Sequence, residues 1–236
     1  MDLASQNDGN PFGGQFGLKQ PTVLAGNFLF SSRDDALTSQ IAAAYLDQTD
    51  SLADNSDYQT AAGVFADSGQ LLRQAYFINP TLIGGFDPGT LSRLMPDFDP
   101  ANLGTLPAYR LAVFADLADA DGQYATVVLI YDSEADAQAA VDAIPKRLDL
   151  LPSIVRKQPL KDVIADRGAV LTSASVVTDS DTGKSAAVIM FTAPLPPDTP
   201  NDNGLITDSG LMYRLLLDMI FQRDTLWLAS DINPIP

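Results

Sequence analysis

Period-two and period-3.6 runs of apolar residues divide this chain into short strands and amphipathic helices. "TVLAGNFLF" (22–30) reads as a strand, and Ser32 with Asp35 forms a capping box for a helix carrying Leu37, Ile41, Ala44 and Tyr45 on one face. A second helix is expected after "ADNS", with Tyr58, Ala61, Ala62 and Phe65 at helical spacing. It stops near Gly69, and "QLLRQAYFI" (70–78) follows as a strand.

Residues 79–107 are dense in Pro, Gly and Asp, and so read as a linker or a structured surface loop. Beyond them "AYRLAVFADL" and "QYATVVLIYD" are strands joined by a turn at "ADADG". "SEADAQAAVDAIPKRLDLL" is a helix capped by Ser133, with Ala135, Ala139, Val141, Ile144 and Leu148 on its apolar side. Pro145 should bend this helix or end it early. The unit then recurs: "AVLTSASVVTD" and "KSAAVIMFTA" flank the turn "SDTG", and a helix spans about 208–223 after the Pro-rich "PLPPDTPNDNG". "TLWLAS" closes the pattern as a short strand, with Trp227, the only tryptophan, in the core.

Two hairpins each leading to a helix form a weak internal repeat. The fold expected is α+β: a two-layer sandwich of antiparallel sheet with helices on one face, ferredoxin-like or related. Three regions follow: a flexible arm at 1–21, an N-terminal α/β subdomain at 22–106 and a C-terminal α+β subdomain at 107–236.

Composition narrows the chemistry. The 236 residues are 46% hydrophobic and 19% charged, as in an ordinary packed domain. With 14 Lys and Arg against 30 acids the net charge is −16, so nucleic acid and anionic membrane surfaces are poor partners, since both need a basic patch. Glu134 is the only glutamate; aspartate prefers turns and caps, which places much of the charge at element ends. The absence of Cys and His rules out disulfides, thiolate nucleophiles, Ser-His-Asp triads and Cys/His zinc sites. No run of about 18 apolar residues is present, so no membrane span is expected. The first 22 residues lack a basic segment followed by an apolar core, the pattern of a signal peptide. A Cys-free, His-free, Asp-rich, Lys-poor composition nevertheless leans towards an extracytoplasmic or high-salt setting.

Three motifs invite catalytic readings. "DSG" at 67–69 and 208–210, with "DTG" at 181–183, resembles the paired triplets of a bilobal aspartic protease. The local contexts differ, however. Asp67 ends a helix, with Gly69 where a left-handed cap belongs; Asp181 to Gly183 makes a hairpin turn; Asp208 and Ser209 precede a helix as N-cap residues. "DTGKS" at 181–185 lacks the upstream glycine of a phosphate loop, having Thr178 there, and it precedes a strand. Asp116, Asp119 and Asp121, beside Gly122, supply hard oxygen ligands in a turn and are the candidate metal residues, with calcium the candidate ion. EF-hand spacing is absent, and a solvated acidic turn is the preferred reading. Asp34 with Asp35 and Asp97 with Asp99 are further carboxylate pairs, with Phe86, Phe98 and Tyr109 as aromatics that could stack on sugars. Arg73 and Arg214 each stand four positions after a DSG glycine, a spacing attributed to chance or a faint duplication.

No catalytic constellation emerges. The leading expectation is a non-enzymatic module, extracytoplasmic or surface-associated, working through protein–protein association or self-assembly. In one version residues 1–21 dock on a neighbouring copy through Phe12, Phe16 and Leu18. The alternative is a carboxylate-dependent extracellular hydrolase that binds calcium, which requires a cleft with at least two aspartates of raised pKa. A third reading is a subunit whose acidic face steers a basic partner.

Overall fold

A computed structural model describes residues 22–25, 28–31, 35–47, 52–83, 89, 92–93, 95–97, 99–193 and 210–231. The chain forms two compact units, Met1–Asn55 and Ser56–Pro236. The strand before the 79–107 stretch pairs with the strand after it in one sheet. The arm at 1–21, Asp34, Phe86, Phe98, Asp208 and Ser209 lie outside the described residues.

In the first unit, β1 (Thr22–Ala25) and β2 (Phe28–Ser31) pair antiparallel, with Val23 opposite Phe30 and Ala25 opposite Phe28. The single strand expected over 22–30 is thus a hairpin, and its signal was the Gly26-Asn27 dipeptide between two apolar runs. Helix α1 (Asp35–Asp47) follows. Among its described side chains Thr38 and Ala42 are buried, whereas Ile41 and Tyr45, expected to face inwards, are exposed.

The second unit begins with α2 (Ser56–Asp67), which buries Thr60, Ala61, Val64 and Phe65 and leaves Ala62 exposed. Its stop is the predicted one: Gly69 has a φ of 70°, and the Ser68 hydroxyl donates to the Phe65 carbonyl. Strand β3 (Leu71–Ile78) leads into the 79–107 stretch, whose described parts include 3₁₀ turns at Pro80–Leu82 and Pro100–Leu103, capped by Asn79 and Asp99. Strands β4 (Leu111–Ala118) and β5 (Gln123–Tyr131) precede α3 (Glu134–Leu150), capped by Ser133 as expected. A short α4 (Leu160–Ala165), for which no apolar period was noted, precedes β6 (Val170–Asp179) and β7 (Lys184–Ala193). Helix α5 (Leu211–Phe221) completes the repeat. "TLWLAS" contains a 3₁₀ turn, Leu226–Leu228, not a strand, although Trp227 is fully buried as anticipated.

The sheet has five antiparallel strands in the order β3-β4-β5-β7-β6, which makes the α+β sandwich plain. Its connectivity, hairpin then helix twice over, is related to but distinct from the strand-helix-strand units of a ferredoxin-like fold. The repeat holds in register. Ala118 pairs with Gln123 across the first turn, and Asp179 with Lys184 across the second, 61 positions later. The second strands of the two hairpins, β5 and β7, meet antiparallel at the centre, with Val128 opposite Val188. A half-turn about an axis normal to the sheet between them exchanges the hairpins, and such a rotation keeps both following helices on one face. That face holds the main core: Phe114, Val127, Leu129, Ile189 and Phe191 of the sheet pack with Ile144 and Leu148 of α3 and Leu215, Leu216 and Met219 of α5. In addition to this expected layer, α2 covers part of the opposite face, setting Ala61, Val64 and Phe65 on Val113, Leu117, Val128 and Val188. Interior strand β4 is consequently buried along its whole length.

Pro145 does not end α3. It removes one helical hydrogen bond, at a cost of about 3 kcal/mol in an isolated helix, but the turn containing it buries Ile144, Arg147 and Leu148. Tertiary packing offsets the local penalty. Arg147 donates from Nη1 to the Ala229 carbonyl at 2.6 Å and from Nη2 to Asp231 Oδ1 at 2.7 Å, while Asp231 Oδ2 accepts the Leu106 amide at 2.7 Å. One buried guanidinium thereby ties the end of α3 to the chain around 104–106 and to the C-terminal turn.

Candidate functional site

The acidic residues of the first hairpin share a sequence neighbourhood but not a spatial one. Alternation along β4 sends Asp116 to the main-core face, between Phe114 and Ala118, where it is fully buried. Asp119 sits in the turn: its Oδ1 accepts the amides of Asp121 and Gly122 at 2.8 and 3.0 Å and the Tyr124 hydroxyl at 3.1 Å, and its Oδ2 accepts from Gln70 at 3.1 Å. These donors outweigh the effect of burial and hold the Asp119 carboxyl below the usual range. Asp121 contributes its backbone amide to that turn. The three do not converge, and no group of three acidic side chains placed to hold a metal ion occurs among the described residues.

Asp116 instead anchors the edge of the sheet. A β-bulge between Leu72 and Gln74 draws Arg73 inwards, so that its Nε lies 3.5 Å from Asp116 Oδ2; Gln74 Nε2 reaches the same oxygen at 3.4 Å. From the other side come the backbone amide of Gly210 and the charge of Arg214. Burial nevertheless dominates, and the Asp116 carboxyl is pushed up from its ordinary value, with Arg73 the largest opposing influence. Tyr213 lies nearby, its hydroxyl pushed up to about 12 by burial first and by Asp116 second. The two arginines that follow the DSG glycines therefore bear on one carboxylate.

The same bulge determines what β3 shows to solvent. With Arg73 turned under the sheet, Leu71 and Leu72 remain 49% and 40% exposed, and further along Tyr76 and Phe77 are 47% and 43% exposed. Tyr76 meets Phe221 of α5, itself 67% exposed, edge to face at 5.9 Å, and on the other face Phe77 stacks on Tyr58 of α2 at 5.1 Å. Among the described residues β3 pairs only with β4 and so ends the sheet. The opposite edge, β6, is more mixed: it carries Thr172, Ser173, Ser175 and Thr178, with Val170 and Val177 58% and 36% exposed.

Sequence reasoning recognised the β3 strand but not this surface. The available signal was that "LLRQAYFI" is apolar at both parities, the pattern of a strand covered on both faces. Of the other sequence candidates, Tyr109 is buried and donates to the Leu228 carbonyl, so it is not a stacking platform. Asp99 is a cap, and Asp97 lies in an exposed turn. Asp67 ends α2, and Asp181 lies in the second hairpin turn.

The fold and this surface define a class: an α+β protein with an apolar sheet edge, unpaired among the described residues, pinned from beneath by a buried Asp–Arg pair. No family model, no curated protein and no solved structure matches the chain.

Proposed function

We propose that this protein is a non-enzymatic module that works through protein–protein association, outside the cytoplasm, with the β3 edge as its docking surface. The observation that carries the reading is the exposure of apolar side chains on both faces of a strand whose outer edge is unpaired among the described residues. Such an edge offers main-chain donors and acceptors to an added strand, and flanking aromatic side chains to grip its residues. The occupant proposed is the arm at 1–21 of a second copy. That segment carries Phe12, Phe16 and Leu18 as anchors, and Asp2, Asp8 and Lys19 are its only charged side chains, so it can approach a strongly acidic body without strong repulsion.

Sedimentation velocity over a concentration series tests this. The intact chain is expected to assemble, while deletion of residues 1–20 and the edge variant Tyr76→Lys should each give monomers with unchanged circular dichroism. A monomeric intact chain overturns the proposal, and loss of assembly in Tyr76→Lys without loss in the deletion overturns the arm as occupant. The alternative of a two-carboxylate hydrolase is the weaker reading: Asp116, whose carboxyl burial pushes up, faces Arg73 inside the sheet, while Asp119, Asp132 and Asp179 are held below the usual range.

A further inference from the structure

On the face of the sheet covered by α2, a cleft of about 610 Å³ opens between that helix and the β6–β7 hairpin. It adjoins a smaller, apolar pocket of about 210 Å³, and Val64, Asp67 and Val177 line both. The combined space has the size of a small-molecule site. Three features point to an occupant.

The first is charge. Asp67, Asp179 and Asp181 line the cleft and no Lys or Arg does. Asp179 is engaged by the Thr60 hydroxyl at 3.1 Å and the Asp181 amide at 2.9 Å, but no hydrogen bond or ion pair holds the carboxylates of Asp67 or Asp181 among the described residues. The second is a buried polar group at the apolar end. Thr126 is 1% exposed, lines the pocket beside Leu117, Val188 and Met190, and its hydroxyl has no partner. A buried hydroxyl left unpaired is costly, and a ligand atom at this position would satisfy it. The third is Gly63, in the middle of α2 on the wall of the cleft. Glycine disfavours a helix interior, yet a Cβ here would meet nothing within 4 Å, so no intramolecular packing requires it. Its absent side chain leaves room in the cleft.

We propose that this cleft binds a small amphipathic amine. Its ammonium pairs with Asp67 at the junction of the two spaces, its apolar body lies against Leu117, Val188 and Met190, and a hydrogen-bonding atom at its far end meets the Thr126 hydroxyl. The strongly negative chain raises the local concentration of such a cation. The site is separate from the β3 edge and does not depend on the assembly reading.

Isothermal titration with three probes tests it: tyramine, phenethylamine, which lacks the phenol hydroxyl, and tyrosol, which replaces the amine with an alcohol. Tyramine is expected to bind saturably, with tyrosol weaker by about tenfold, the worth of one charge-assisted hydrogen bond. Asp67→Asn should abolish the preference for tyramine over tyrosol. Thr126→Val should abolish the preference for tyramine over phenethylamine, while affinity for phenethylamine is retained. Gly63→Leu, whose Cβ meets nothing within 4 Å and whose longer side chain extends from the cleft wall, should weaken all three in a protein that still unfolds cooperatively. Equal binding of tyrosol and tyramine, wild-type behaviour of Asp67→Asn, or no saturable binding of any probe overturns the proposal.

Discussion

Asp116 and Asp119 are three positions apart and chemically identical, yet the fold drives their carboxyl groups in opposite directions. Asp116 is raised by burial, and Asp119 is lowered by the donors around it. The sign of the pH dependence follows. A carboxyl with a folded pKa above its unfolded value binds its proton more tightly in the native state. Its contribution to stability is therefore present at acid pH and declines as pH rises through the folded value. In Asp116→Asn that acid-side gain is absent. Asp119, Asp132 and Asp179, all lowered, remain to lose stability as pH falls. Relative to the wild type, the urea midpoint of Asp116→Asn should thus lose ground as pH falls from neutral towards pH 4, as the wild-type Asp116 takes up its proton; parallel profiles would show that Asp116 does not titrate as described. At the same scale, Gly69 has a φ of 70° with open space around its Cβ position, so Gly69→Ala is a purely backbone perturbation. It should cost about 1 kcal/mol in chemical denaturation, with Gly69→Asn costing less.

Among the elements, α3 shows how packing overrides a local signal. Pro145 marks a helix end in the sequence, but the guanidinium of Arg147, one turn from the helix end, is buried and bonded to two separate chain segments. Removing it leaves the carbonyls of Ala229 and Gly104 without their donor and Asp231 without its counter-ion. Arg147→Ala is expected to destabilise the protein by about 3 to 4 kcal/mol in urea unfolding, well above a surface substitution. A loss below about 1 kcal/mol would mean that the clamp is dispensable. The repeat is an element-scale property as well. Two hairpins whose registers coincide after 61 positions meet through their second strands, and this symmetry sends α3 and α5 to one face.

For the whole molecule, net charge sets the conditions of association. At −16, copies repel one another, so assembly through an apolar edge should strengthen as salt screens the repulsion. A basic partner drawn in by the acidic surface would show the reverse, its binding weakening with salt. Sedimentation from low to high ionic strength distinguishes the two, and dissociation of the copies on adding salt would contradict assembly through the β3 edge. No helix among the described residues is long and apolar enough to cross a membrane, in keeping with the absence of a long apolar run.

The sequence by itself determined what depends on neighbours a few residues away. The two hairpins, the Ser133 cap, the stop at Gly69 and the turn at 181–183 were legible because turn, cap and period are local chemistry, and the DSG and DTG triplets with described geometry serve as such punctuation. Tertiary structure decided what depends on partners far along the chain. It placed β3 at a sheet edge, although its apolar residues at both parities read as an interior strand. It buried Asp116 while leaving Asp119 in a turn, and it carried a helix through Pro145. It also turned small residues inwards: Thr38 and Ala42 of α1 are buried, and so are Ala137, Ala140 and Ala143 of α3 alongside Ile144 and Leu148, while Ala135 is exposed. The reason is common to all four: burial is set by which element lies opposite, and small residues allow that element to come close.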